Sequence, residues 1–464
     1  MKLKRTIVLV VAVLAVVAVT TASTTGAPAV QNRTDAQTVT QCTTITDSGR
    51  YVLTEDIEMS GERPCISIAA SDVTLDGDGH TILERRAFDD SLAVGTTDDG
   101  WTNVTVTNLT VNGPLQAVRY DNVTDSRITD VDVRNGGYVA FSLNADNVTL
   151  ARSTVSQPYD GSYGVRLTGS DNTVRNNTFS GVAWGIYSMT TPGLVVTENE
   201  FQDSGINLDQ ADHATVTDNR VDGGGYSVAA SDSDNLLVKN NALNETVYIR
   251  SVNQPRTWNV TLADNSLSGE VSVNLVDFSE IEDGTIVNNT IAGPAEGIRL
   301  DRVTGTTTVE RNEIDGGEIG LLVDEANGNV SVERNVFSDN YVAGIKINDL
   351  AERSVRDVCG DARVREAGNL TAHRNVFSGN GAGILSEETE VVNATHNYWG
   401  AASGPSSAAD GNAPYIDPVT DALADGDGDA VSQTPGTVGL SNAHFDPWLG
   451  QRPADAGLVN ATSS

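Results

Sequence analysis

One asparagine recurs through most of the sequence at a nearly constant spacing. It ends a short segment that contains Val, Leu or Ala, and it precedes the next strand-like residues. Successive members are separated by 22, 20, 22, 24, 24, 23, 23, 40 and 22 residues. A period of this length indicates a solenoid of repeated coils, and the one long step indicates a coil that carries an insertion. The series is Asn177, Asn199, Asn219, Asn241, Asn265, Asn289, Asn312, Asn335, Asn375 and Asn397.

Short strand patterns fill the sequence between these asparagines. Apolar and polar residues alternate in segments 164–168, 205–209, 297–301 and 344–348, each of which begins with Gly. Alternation with period two predicts strands, whereas leucine-rich, ankyrin and helical repeats need a helical spacing or a Leu-x-x-Leu-x-Leu frame. Three short strands with their turns fill about 22 residues. The sequence therefore predicts an all-β parallel β-helix of about 13 coils, each adding roughly 4.8 Å.

The recurring asparagine is interpreted as structural. Asparagine tolerates the left-handed backbone region and can hydrogen-bond along a stack of identical turns. The same frame extends upstream through Asn108, Asp130 and Ser153. We therefore expect the series to form a ladder and to have no catalytic role.

Both ends of the chain resemble a known family. Residues 49–57 and 72–82 are similar to the opening of secreted right-handed parallel β-helix proteins of the NosD-like, carbohydrate-associated repeat family. Residues 396–400, 403–405 and 445–449 resemble the end of many such helices. The resemblance implies a single-stranded, right-handed solenoid with an N-terminal cap and an irregular C-terminal tail. It leaves function open, because the repeat occurs in lyases, hydrolases, epimerases, adhesins and copper-site maturation proteins.

The N-terminus predicts export. Basic residues at positions 2, 4 and 5 precede an apolar run at 7–19, and Ala27-Pro28-Ala29 fits a cleavage site. We expect a secreted or cell-surface protein, with membrane attachment only if this segment is not cleaved. The predicted organisation is a signal peptide at 1–29, a polar stretch at 30–41, a cap with the first strands at 42–82, the β-helix at 83–400, and a C-terminal capping segment with a disordered tail at 401–464.

The charge balance is strongly acidic. Asp and Glu number 63 against 29 Lys and Arg, which gives a net charge of −34 at pH 7. An acidic, lysine-poor surface is typical of proteins that stay dispersed at molar salt, so a halophilic source is predicted. Nucleic acid is excluded as an expected partner because of this charge. We expect a monomer.

Two cysteines flank the first predicted strands. In an exported protein, Cys42 and Cys65 are expected to form a disulfide that closes a loop contributing roughly 3 kcal/mol. Two free buried thiols are the alternative. Cys359 lies in the long step between Asn335 and Asn375 and is expected to be unpaired.

Alternation predicts two adjacent outward-facing columns of side chains on one sheet, and the first of them includes Ser227 and Ser272. The columns combine guanidinium groups, carboxylates and tyrosines, which suit the hydroxyl groups and ring faces of an extended glycan. The alternative is a solvated sheet face with ion pairs between coils. The candidate substrate-binding residues are Tyr187, Asp209, Tyr248, Arg250, Arg299 and Lys346.

Catalysis on this face is a second hypothesis. Asp301 and Asp324 are expected on adjacent coils about 5 Å apart, a spacing that suits a retaining glycosidase pair or an acid and a base. On a uronic-acid polymer, Arg250, Arg299 or Lys346 could neutralise the substrate carboxylate. The sequence lacks the sets of residues expected of pectin hydrolases and alginate epimerases, so binding is favoured over a lyase or hydrolase activity.

Metal sites are weakly indicated. Asp425, Asp427 and Asp429 have the 1, 3, 5 spacing of a calcium loop, but Ala430 and Gly436 stand where Gly and Glu belong. A flexible acidic turn is the alternative, and calcium is the one cofactor left open. The NosD-like resemblance also raises a maturation or scaffold role, although the five histidines are scattered and do not form the clusters that copper handling needs.

Overall fold

The computed structural model describes most of the chain from residue 36 onward as strands and turns. The described residues are 36–59, 64–85, 90–156, 161–269, 274–293, 295–348, 350, 354–356, 362–364, 368–407 and 413–459. The expected signal peptide at 1–29 and Cys359 lie outside these ranges. No segment of the described residues forms a helix that is long and apolar enough to cross a membrane.

Parallel strands stack into three ladders, here named A, B and C, and the alternation of apolar and polar residues decides which side chains point inward. Ladder A contains the predicted outward column. Its strands are Thr43–Ile45, Ile66–Ile68, Leu92–Thr96, Gln116–Thr124, Val139–Asp146, Tyr163–Thr168, Trp184–Met189, Gly205–Asp209, Tyr226–Ser231, Thr246–Arg250, Val276–Ser279, Glu296–Val303, Ile319–Ala326, Ala343–Ile347, Ile384–Ser386, Gly428–Val431 and Pro405–Ser407.

Ladders B and C are joined where two long strands, Thr105–Asn112 and Arg127–Arg134, belong to both. The other strands of ladder B are Gln37–Val39, Gly49–Leu53, Val73–Asp76, Thr149–Ala151, Thr173–Arg175, Val195–Thr197, Thr215–Thr217, Leu237–Lys239, Thr261–Ala263, Thr285–Val287, Thr306–Glu310, Asn329–Glu333, Asn369–His373, Val392–Asn393 and Ala443–His444. The other strands of ladder C are Ile57–Glu58, Thr81–Leu83, Thr154–Ser156, Thr178–Ser180, Glu200–Gln202, Arg220–Asp222, Ala242–Leu243, Ser266–Ser268, Thr290–Ala292, Glu313–Asp315, Val336–Ser338 and Val376–Ser378.

The predicted fold class is confirmed: the chain is a right-handed parallel β-solenoid of about 15 turns. Strands inside residues 42–82 pair in the same ladders as the later coils, which adds turns to the number expected. The long step in the asparagine series holds a short antiparallel hairpin, Ser354–Arg356 with Ala362–Val364. One further pair, Thr257–Trp258 with Ile281–Glu282, lies outside the three ladders.

The core is a column of inward-facing side chains. In the strand Tyr163–Thr168, Val165 and Leu167 are fully buried while the residue between them is exposed. Near the C-terminal end, Phe377 stacks against Trp399 with ring centroids 4.9 Å apart. Trp399 is fully buried, as expected of an apolar plug.

The recurring asparagines form one buried ladder at the turn from ladder B to ladder C. Asn199 donates from its backbone N–H and from Nδ2 to the same Oδ1 of Asn219, at 2.9 and 3.0 Å. Its Nδ2 also donates to two backbone carbonyls, and its own Oδ1 accepts from Asn177. Equivalent bonds continue from coil to coil as far as Asn397. The structural interpretation of the series is confirmed.

The residue before each of these asparagines has the left-handed backbone conformation. The asparagine therefore recurs for its side-chain hydrogen bonds and not, as expected, for its tolerance of that conformation. Glu198, for example, has a φ of 56°, while Asn199 supplies the side-chain ladder. Upstream, Asn108 and Asp130 occupy this left-handed position, so the predicted frame is off by one there. Ser153 does hold a ladder position.

Cys42 and Cys65 form the predicted disulfide, with Cα atoms 4.5 Å apart.

At the other end, a buried carboxylate organises the C-terminal segment. Asp417 accepts hydrogen bonds from the backbone N–H groups of Phe445 and Asp446 and lies 3.0 Å from Nδ1 of His444. Burial alone would raise the pKa of Asp417, but these hydrogen bonds hold the pKa below its usual range.

Candidate functional site

The outward face of ladder A presents side chains that change from coil to coil. The strand register aligns them in one column, and most of the predicted alignment is confirmed. Two coils differ from expectation: Ala229 and Asp277 stand where Ser227 and Ser272 were placed. The observed column is Arg119, Ser142, Arg166, Tyr187, Asn207, Ala229, Tyr248, Asp277, Arg299, Leu322, Lys346 and Leu385.

Aromatic rings line the N-terminal part of this face. Tyr138 and Tyr163 meet edge to face with centroids 5.4 Å apart, and Tyr163 lies 4.9 Å from Tyr187. Further along, Tyr226 stacks on Tyr248 at 5.7 Å. Tyr226 is 41% exposed. The rings therefore present faces and edges to a ligand from outside.

The rings end at an open cavity of about 660 Å³. It lies on the coils of Tyr226 and Tyr248, and its wall combines apolar ring surface with charged and amide groups. The residues that matter for its chemistry are Trp184, Asn207, Tyr226, Tyr248, Arg250 and Asp277. The guanidinium carbon of Arg250 lies 5.2 Å from the Tyr248 ring centroid, and Nη1 is 3.4 Å from the Tyr248 hydroxyl.

Asp277 is the functional candidate that sequence reasoning missed. Its side chain is 14% exposed, and its Oδ2 lies 3.8 Å from Nη1 of Arg299. Burial raises the pKa of Asp277; Arg299 opposes the rise, while Asp301 and Asp324 add to it. The alternation in Val276-Asp277-Phe278 could have revealed it, but the preceding Val271-Ser272-Val273 offers an equally good frame.

The charged part of the face beyond Asp277 holds the two predicted catalytic carboxylates. Asp324 accepts a hydrogen bond from Nη2 of Arg299 at 2.5 Å and another from Asn348 at 3.0 Å. Burial would raise the pKa of Asp324, but these bonds hold the pKa below its usual range. Asp301 accepts from Ser279 and Arg302.

A register shift changes the expected neighbours of this pair. Asp301 lies opposite Glu325 and not opposite Asp324, because the ladder is irregular between Leu300 and Val303. The alignment on which the predicted pair was based is thereby corrected. A catalytic role for Asp301 and Asp324 stays a prediction.

The remaining predicted binding residues spread along the face. Tyr187 belongs to the aromatic part, and Asp209 accepts a hydrogen bond from Ser231 at 3.1 Å. Lys346 lies at the far end, where its Nζ is 3.2 Å from Glu387. The cavity thus brings together only Tyr248 and Arg250 of the six predicted residues.

Two family models match the chain. Residues 71–274 match NosD, described as a periplasmic copper-binding protein, and residues 204–404 match the right-handed beta helix region. The chain is therefore a right-handed β-helix protein that resembles NosD over residues 71–274. No curated protein matches it.

Solved structures similar to this NosD-like protein include three enzymes. DFA-IIIase from Arthrobacter chlorophenolicus A6, without its lid, is 13% identical, with a TM-score of 0.40 over 70% of this chain and 86% of that one. The periplasmic alginate epimerase AlgG is 15% identical, with a TM-score of 0.33 over 72% and 73%. The A-module of the mannuronan C-5 epimerase AlgE4 from Azotobacter vinelandii is 13% identical, with a TM-score of 0.33 over 76% and 86%. Sequence identities and TM-scores this low give no information about the substrate or the reaction of this chain.

The predicted calcium loop of this NosD-like protein is engaged in packing. Asp429 accepts hydrogen bonds from the backbone of Gly379 and from Asn380, and burial raises the pKa of Asp429. Asp427 accepts a bond from Ser403, and Asp425 lies in a β-bridge. Within the described residues, no group of three or more His, Cys, Asp or Glu side chains is arranged to hold a metal ion. A calcium requirement stays a prediction.

Proposed function

We propose that this NosD-like protein binds glycan chains along the outward face of ladder A. The cavity at Tyr226 and Tyr248 is the observation that carries the proposal. Sugar rings have apolar faces that stack on aromatic side chains, and hydroxyl groups that need polar partners. Rings, an arginine, two asparagines and a carboxylate surround this cavity, so it offers both kinds of contact.

The continuity of the face supports an extended ligand. The tyrosine contacts run from Tyr138 to Tyr187 and resume at Tyr226 and Tyr248, after one coil that carries Asn207. Each coil adds roughly 4.8 Å, so a chain lying along the ladder axis would meet new side chains at each coil. A small ligand would need only the cavity.

We further propose that the protein works outside the cytoplasm. The disulfide between Cys42 and Cys65 fits an oxidising compartment. The NosD family model and AlgG are both described as periplasmic. Secretion and cell-surface location follow from the sequence only as predictions.

The test is a binding screen of the purified protein against neutral and acidic polysaccharides at molar salt, with and without calcium. We expect at least one glycan to bind, and we expect Tyr248→Ala to weaken that binding. Tyr341→Ala is the matched control, because Tyr341 is 66% exposed and lies outside the cavity. A protein that binds no glycan, or that loses binding equally in both variants, would overturn the proposal.

A lyase or hydrolase activity is the second candidate, and Asp277 favours it. Burial raises the pKa of Asp277, a shift in the direction that favours the protonated carboxyl group a general acid needs beside a bound sugar. New reducing ends or unsaturated products in the same screen would support catalysis. Loss of those products in Asp277→Asn, but not in Asp301→Asn or Asp324→Asn, would place the chemistry in the cavity.

A further inference from the structure

We infer that the glycan is anionic and that Arg250 contacts its negative groups. This inference rests on the proposed function and names the substrate class of the same cavity. It starts from the basic side chains on ladder A and from the question of which of them are already paired.

Most cations on ladder A have a carboxylate partner within the protein. The shortest N–O distance is 2.8 Å for Arg119, 2.5 Å for Arg299, 3.0 Å for Arg302 and 3.2 Å for Lys346. Arg299 and Lys346 are therefore already paired with carboxylates of the protein, although the sequence suggested that they neutralise a substrate. Among the described residues, no carboxylate lies within 4.0 Å of Arg166 or Arg250.

Arg250 is one of several arginines that have no carboxylate partner among the described residues. Acidic residues outnumber basic residues by 63 to 29, so a carboxylate partner is easy to supply. Arg127 and Arg175 on ladder B also have no carboxylate partner in the described part, but their side chains lie on a different face. Only Arg250 of these arginines lines the cavity.

The surroundings of Arg250 favour an anionic group of a sugar. The Tyr248 ring holds the guanidinium by a cation–π contact and leaves its other N–H groups open to the cavity. A planar guanidinium binds a carboxylate or a sulfate through two parallel hydrogen bonds. Arg166, four coils away in the adjacent column, would meet a second negative group of the same chain.

The experiment compares three polymers on the full protein: a polyuronate of defined length, its methyl ester, and a sulfated polysaccharide. We expect an anionic polymer to bind at least about five-fold more tightly than the neutral ester, and Arg250→Gln to remove that preference. Arg175→Gln is the matched control and should leave the preference intact. The polymer that binds more tightly assigns the anion as carboxylate or sulfate.

Two results separate failure of this inference from failure of the proposed function. Equal binding of the free acid and the ester, with no gain for the sulfated polymer, would overturn the inference and leave glycan binding standing. An anion preference that survives Arg250→Gln would also overturn the role of Arg250. Binding of no polymer, including neutral ones, would overturn both.

Discussion

Two regions of the same coils differ in their sequence. The turn between ladders B and C has the same residue type in coil after coil, whereas the outward face of ladder A does not. At the turn, asparagine returns in ten consecutive repeats, and its side chain is buried and fully hydrogen-bonded. On the face, the residue changes at nearly every coil, and the column includes aromatic, acidic, basic, amide and aliphatic side chains. Residues that only stack coils can all be alike, whereas a ligand requires different groups at different positions. The comparison separates what builds the solenoid from what can recognise a partner.

The largest expected effect comes from breaking the asparagine ladder. Asn199→Ala removes the Oδ1 that accepts from the N–H and Nδ2 of Asn177, and it removes one donor from each of two backbone carbonyls. We expect a loss of about 3 kcal/mol in the free energy of unfolding, measured by chemical denaturation. Glu198→Gln, at the exposed preceding position, is the control and should change it by less than about 0.5 kcal/mol. Equal effects at both positions would remove the distinction between ladder and surface.

Removal of an aromatic ring from the face should act on binding more than on stability. Tyr248→Ala removes a stacked ring and the support of Arg250. We expect glycan affinity to fall about ten-fold, since central aromatic residues dominate such interfaces. Titration calorimetry measures this, and Asn199→Ala at a temperature where it stays folded should keep the affinity unchanged. A larger affinity loss in Asn199→Ala would reverse the assignment of roles.

The two carboxylates that contact Arg299 should respond oppositely to pH. The pKa of Asp277 is raised in the fold, so its ionised form lowers stability at neutral pH, and Asp277→Asn should be more stable than the wild type there. The gain should shrink as pH falls through the folded pKa toward the unfolded value near 4. Asp324 has a lowered pKa, so Asp324→Asn should be less stable at neutral pH, with the deficit shrinking in acid. Thermal unfolding from pH 3 to pH 7 gives both curves, and equal signs would contradict these environments.

The smallest effect is expected at the C-terminal tail. Asp455 lies 3.0 Å from Nε of Arg334 and 3.5 Å from Nη2 of Arg374, and Gly457 donates its N–H to the Arg334 carbonyl. These ion pairs are partly exposed, so Asp455→Ala should cost less than about 1 kcal/mol, and less still at molar salt. Denaturation at low and high salt tests this. A large, salt-independent loss would mean that the tail packs the solenoid in some further way.

Much of the fold could be predicted from the sequence because the same pattern of residues occurs in coil after coil. The asparagine spacing and the alternation around Val165 and Ile298 were sufficient for the coil and for most of the outward column. The prediction was wrong where one coil departs from its neighbours. Asp277 was missed because two alternating frames compete in that coil, and the Asp301 and Asp324 alignment failed at a ladder irregularity that only the backbone register reveals.

The cavity was harder to predict because it depends on distances between coils. Tyr226 precedes the alternating frame and was not placed on the face, yet it stacks on Tyr248. The unpaired state of Arg250 likewise depends on where the carboxylates of other coils point. A single strand pattern does not contain this information.

The most direct test of the central claim is hydroxyl-radical footprinting of the tyrosine side chains with and without a bound glycan. We predict that oxidation of Tyr226 and Tyr248 falls on binding while that of Tyr341 stays the same. Protection of Tyr341 without protection of the cavity tyrosines, or no protection of any tyrosine by a glycan that binds, would contradict the assignment of ladder A as the recognition face.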